Sequence, residues 1–145
     1  MAAPITRFIK KLMLYGNGLT FLMIAGYALV ATDKAANIYG YTLNGLDGHN
    51  EFRAVYIGFW TGLSILFFIA AWRNNFDLGD MGLLMVLLQS LGRVLSFALD
   101  GIPSTPFVIV FFLEFSSSLI GLLMRPGHLP EGPEPGGLPS EHQAA

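Results

Sequence analysis

QSLGRVLSFALDGIPSTPFVIVFFLEF, residues 89–115, holds two apolar runs joined by a turn, with an arginine in one and a glutamate in the other. Asp100-Gly101 stops the first run as a helix, and Thr105 with Pro106 reads as the N-cap and first turn of the next. Helices joined by so short a link are antiparallel neighbours, so depth can be counted away from the turn. Counted that way, Arg93 and Glu114 lie two residues apart in level, roughly 3 Å of rise. A lone charge near the bilayer centre costs about 2.5–3.5 kcal/mol even on the permissive insertion scale. The two side chains are therefore expected to meet.

Both runs are polar along one face. Gln89, Arg93, Ser96 and Asp100 share a helical face, as do Glu114, Ser117, Ser118 and Gly121. Gln89 and the hydroxyls of Ser116, Ser117 and Ser118 are placed to complete the pair's hydrogen bonds, and Glu51, Arg53 and Asp100 to extend the cluster at the outer mouth. Two meanings stay open: a pair that fixes helix register, or a polar pocket that holds a head group, an anion or a proton.

Outward from this stretch, the whole chain has the same character. Of 145 residues, 53% are apolar and 12% charged, about half the charged share of an ordinary soluble chain. Long apolar runs fall at 12–31, 54–72, 81–99 and 106–124, the last two interrupted by Arg93 and Glu114, each close to the roughly 20 residues a spanning helix needs. Backbone groups in lipid must be satisfied within the segment, so helices follow. The expected fold is all-α: an integral membrane four-helix bundle over 1–124, up-down-up-down, with a disordered Pro/Gly-rich tail at 125–145. The basic start continues through an apolar run without a small-residue cleavage site, which reads as an uncleaved first span. Arg7, Lys10, Lys11, Arg73 and Arg125 fall on one side, so the positive-inside rule puts both termini in the cytoplasm.

The connections carry weaker signals. The long outer loop at 32–53 reads as a compact or interfacial segment, and Asp77 or Asp80 as a cap for span three. Ala54, Gly58 and Gly62 form a ridge of small residues suited to packing or to a homodimer face. Asn17 and Thr20 suggest an interhelical hydrogen bond, and the Phe-rich run before Glu114 reads as lipid-facing bulk.

Composition also removes function classes. There is no cysteine, hence no disulfide, thiolate metal site or cysteine nucleophile. His49, His128 and His142 all lie outside the spans, leaving no histidine for haem, metal or a Ser-His-Asp triad. A net charge of −2 without a basic excess argues against nucleic acid as a partner. Neither enzyme chemistry nor a cofactor is expected.

EFRAVYIG at 51–58, LGRVLSFALDGIP at 91–103 and LEF at 113–115 resemble an uncharacterised family of small bacterial four-span membrane proteins. It is the domain-of-unknown-function family numbered forty-three forty-five, more distantly similar to DoxX-like proteins. The resemblance covers roughly residues 50–124 and rests on Glu51, Arg53, Ala54, Tyr56, Gly58, Arg93, Asp100, Gly101 and Glu114. It implies the fold and a bacterial inner membrane, and no reaction.

Two functions fit these residues. The first is an accessory or scaffolding subunit of a larger membrane assembly, whose partners are the lipid bilayer and other membrane protein subunits. The second is a small transporter or binder of a lipid, quinone or amphiphile that uses the Arg93–Glu114 pocket.

Overall fold

The computed structural model describes residues 2–124; the tail at 125–145, with Arg125, His128 and His142, lies outside the described residues. All regular structure among the described residues is helical, and four stretches are long and apolar enough to cross a membrane. They are Pro4–Val30, Gly45–Arg73, Phe76–Asp100 and Thr105–Leu123. The chain is a multi-pass membrane protein.

The first three begin earlier than their apolar cores. Helix α1 (Ala2–Val30) takes in Arg7, Lys10 and Lys11, because nothing in that stretch breaks a helix. After a bend at Ala31 comes the short α2 (Thr32–Ile38), then α3 (Gly45–Arg53). Helix α3 runs without interruption through a π-helical segment (Ala54–Phe59) into α4 (Trp60–Arg73). The connection at 32–53 thus contains the polar first turns of the second long helix, and Glu51 and Arg53 are helical.

Asn74 takes a left-handed conformation (φ 53°) to end α4, a geometry asparagine tolerates. The next residue, Asn75, caps α5 (Phe76–Asp100): its side chain accepts from the Leu78 amide at 3.0 Å. This corrects the expectation that Asp77 or Asp80 caps span three; both lie inside the helix. At the far hairpin Gly101 adopts φ 94°, and Ser104, one residue earlier than expected, precedes α6 (Thr105–Leu123) with Pro106 in its first turn.

The four long helices pack in chain order: α1 against α4, α4 against α5, α5 against α6. Small residues let them approach. A Cβ on Gly82 would stand 2.8 Å from Phe67 and 2.9 Å from Leu66, and one on Gly121 2.6 Å from Leu83. Ser64 of α4 donates to the Gly18 carbonyl of α1 at 2.7 Å, a buried bond between helices. The core joins Leu14, Phe21 and Ala25 to Trp60, Leu63, Phe67, Ala70 and Ala71, and to Leu83 and Val86. Helix α6 buries only Ser118 and Gly121, and it barely touches α1. The bundle is an open row, with a cleft between its first and last spans.

That cleft is closed at one end. Lys10, fully buried, pairs with Asp80 of α5 at 2.6 Å and donates to the Met124 carbonyl just past α6 at 2.9 Å. The sequence reading left Lys10 as one of several basic residues before span one; the fold makes it a clasp across three helices. Gly58 and Gly62, by contrast, are exposed, and a Cβ on Gly62 would meet nothing. The small-residue ridge therefore takes no part in packing within this chain.

Candidate functional site

Helices α5 and α6 bring Arg93 and Glu114 together as expected. Glu114 is the central residue of the 19-residue α6. Arg93 donates through Nε to Glu114 Oε2 at 2.9 Å and through Nη2 to Oε1 at 3.3 Å, a forked charge-assisted pair. Gln89 Nε2, one helical turn from Arg93, donates to Oε1 at 3.4 Å. The two charged side chains remain 23% and 11% exposed, because they stand at the wall of a cavity.

The rest of the expected cluster goes elsewhere. Ser117 and Ser118 donate to the main-chain carbonyl of Glu114, at 3.2 and 2.7 Å, and Ser116 to that of Phe112. A serine in a helix finds a carbonyl of the preceding turn within reach, so none of the three satisfies the carboxylate. Asp100 is exposed and accepts from Ser96 at 3.2 Å. Glu51 and Arg53 are exposed on α3, where Arg53 borders a separate surface hollow with Asp47 and His49. His49 itself binds Asp33 at 3.0 Å.

What the pair does face is aromatic. A cavity of about 700 Å³ is lined by Arg93, Glu114 and Gln89 together with Tyr39, Tyr41, Tyr56, Trp60, Phe97 and Phe107. Tyr39, from the outer loop, lies 4.8 Å from the ring of Tyr56 and 5.8 Å from that of Phe107, and so ties the loop to the first turn of α6. Phe52, Tyr56 and Trp60 recur every fourth residue through the π-helical segment and stack at 4.3 and 6.2 Å. Residues four apart share one face of a helix, so the three rings form one column. Burial pushes the Tyr39 phenol above its ordinary value, against a smaller opposing pull from Arg93, so the hydroxyl stays protonated and able to donate.

A second hollow of about 410 Å³ lies between α1 and α6. Asn17, Thr20, Glu114 and Ser117 supply its polar lining, and Ile24, Val110 and Glu114 belong to both cavities. Asn17 and Thr20 do not form the expected interhelical bond. Each bonds a carbonyl of its own helix, Met13 and Gly16, at 2.9 Å. Phe107 is likewise no lipid-facing bulk but part of the cavity wall. The four-residue spacing of Phe52, Tyr56 and Trp60 was the one sequence signal for this wall; nothing in the sequence placed Tyr39 or Tyr41 there.

A family model described as a domain of unknown function (DUF4345) matches residues 9–124, most of the chain. The chain belongs to the DUF4345 family. The match reaches further than the resemblance in spans two to four, since it takes in most of α1 and the connection that supplies Tyr39 and Tyr41. Every residue named in the two cavities of this DUF4345 chain falls within the matched span. No curated protein and no solved structure matches the chain.

Proposed function

We propose that this DUF4345 protein binds an amphiphile in the plane of the membrane, with the polar head against Arg93 and Glu114 and the apolar chain in the α1–α6 cleft. One observation carries the reading: Glu114 lines both the large aromatic cavity and the hollow that separates α1 from α6. A pair that served only helix register would be better sealed between α5 and α6, where neither charge needs a cavity. The cavity's size, about 700 Å³, is in the ordinary range for small-molecule sites, roughly 300–1,000 Å³.

The end that gathers Arg7, Lys10, Lys11 and Arg73 is assigned to the cytoplasm of a bacterial inner membrane, by the positive-inside rule and the family resemblance. The accessory-subunit reading leans on the tail at 125–145, outside the described residues, and no described feature favours it.

Native mass spectrometry of protein drawn gently from its own membranes tests the proposal. A free monomer or dimer that retains a defined small molecule, lost on Glu114→Gln, supports it. A stoichiometric larger complex with no small molecule retained overturns it in favour of the subunit reading.

A further inference from the structure

We infer that the head group held beside Arg93 and Glu114 is neutral, planar and carbonyl-bearing, on an apolar chain: the chemistry of a membrane quinone. The inference rests on the amphiphile reading and narrows it by charge, hydrogen bonding and shape.

Charge comes first. Arg93 and Glu114 are the only ionisable pair of opposite sign among the described residues that line the cavity, and they neutralise each other at 2.9 Å. An anionic head group would compete with Glu114 for the guanidinium and leave a carboxylate unpaired in an apolar setting. A cationic one would do the same to Arg93. Either exchange carries the penalty of an uncompensated buried charge. A neutral head leaves the pair intact.

Hydrogen bonding comes next. With Nε and Nη2 given to Glu114, Arg93 keeps Nη1 without a partner among the described residues. The lining adds the phenols of Tyr39, Tyr41 and Tyr56; Tyr56 and Tyr41 are hydrogen-bonded to each other, which leaves Tyr39 and one hydroxyl of that pair to donate. Trp60, 7% exposed, also lines the cavity, and its indole N–H has no hydrogen-bond partner among the described residues. Glu114, meanwhile, already receives three donations from Arg93 and Gln89. The surplus is in donors, which suits a ligand that accepts, and ring carbonyls accept without carrying charge.

Shape agrees with both. The rings of Tyr39, Tyr56 and Phe107 stand 4.8 and 5.8 Å apart and are tilted by 41° and 50°, an aromatic lining against which a planar ring can pack by face or edge. The contiguous hollow beside Phe21, Ile24 and Leu113 offers an apolar path between α1 and α6 for the chain.

The test uses the full chain in detergent, with three probes of matched tail length presented separately: a benzoquinone with a ten-carbon tail, a decyl phosphate and a decyltrimethylammonium. Native mass spectrometry reads the one-to-one adduct of each, in the wild type and in Tyr39→Phe and Arg93→Lys variants whose helical circular dichroism matches the wild type. The expected result is a saturable quinone adduct, weakened about tenfold by either substitution, the loss of roughly one good hydrogen bond, with neither charged probe retained. A variant-sensitive adduct of the phosphate or the ammonium would overturn the head-group inference and leave the amphiphile reading standing. If no probe gives a variant-sensitive adduct, both fall. Tyr39→Phe removes a single hydroxyl and keeps the ring packing, so the test survives if Arg93→Lys fails to fold.

Discussion

Arg93 Nε stands 2.9 Å from Glu114 Oε2 at the middle of α6, and Gln89 completes the carboxylate from one turn away. Because the pair is a cross-helix contact at partial exposure, its removal is worth less than that of a sealed ion pair. Arg93→Glu or Glu114→Arg alone is expected to lower stability in detergent by about 2 kcal/mol, below the 3–5 typical of a fully buried pair. The double exchange should recover most of that loss in thermal unfolding. Absence of recovery would show that the two side chains do not depend on each other.

Lys10 is the more deeply buried charge, and its partner Asp80 is 31% exposed. Asp80→Asn keeps an amide oxygen as acceptor but removes the counter-charge, leaving the ammonium with neutral partners, the Met124 carbonyl among them, and the face of Phe76, 5.8 Å away. The expected cost is about 2–3 kcal/mol. Combining it with Lys10→Met, which fills the same space without charge, should restore stability to near wild type. A double variant as unstable as Asp80→Asn would refute the clasp.

Helix packing by glycine gives a sharp contrast. Gly82→Leu must displace Phe67 and Leu66, both already within 3.0 Å of an added Cβ, and is expected to cost about 1–3 kcal/mol. Gly62→Leu faces open space and should change stability by no more than about 0.5 kcal/mol. Equal effects on unfolding temperature would contradict the order of helices described here.

The cleft can be probed by thiol chemistry, since the chain has no cysteine of its own. Thr20→Cys and Ser117→Cys line the hollow between α1 and α6, whereas Ser90 is fully buried within α5. A small methanethiosulfonate reagent should label the first two rapidly and Ser90→Cys slowly or not at all. Uniform protection of all three would mean that α1 and α6 close on each other.

Ser64 offers a test of the α1–α4 contact. Its hydroxyl reaches the Gly18 carbonyl at 2.7 Å and is wholly buried. Ser64→Ala is expected to cost about 1 kcal/mol, the usual net worth of such a bond. A neutral substitution would show that the carbonyl, already bonded within α1, gains little from it.

The spanning architecture is legible in the residues alone. Four apolar runs in a chain this short leave helices in lipid as the stable arrangement, and a six-residue hairpin forces α5 and α6 to be antiparallel neighbours. Depth then follows from counting, and two opposite charges at one depth have little choice but to meet. That is why Arg93 and Glu114 are legible as a pair in the sequence. The serines were misread for a related reason: helical periodicity gives the face a residue occupies, but not whether its hydroxyl turns to a neighbour or back to the preceding carbonyl.

Which surfaces close and which stay open is a matter of packing between helices. Whether α6 touches α1, whether Lys10 points to water or to Asp80, and whether Tyr39 folds over the end of the bundle depend on contacts between residues far apart in the chain. Local pattern carries no record of them. The cavity beside the ion pair exists because α6 packs mainly on α5 and the 32–53 connection lays its tyrosines across the gap, and both are properties of the assembled bundle.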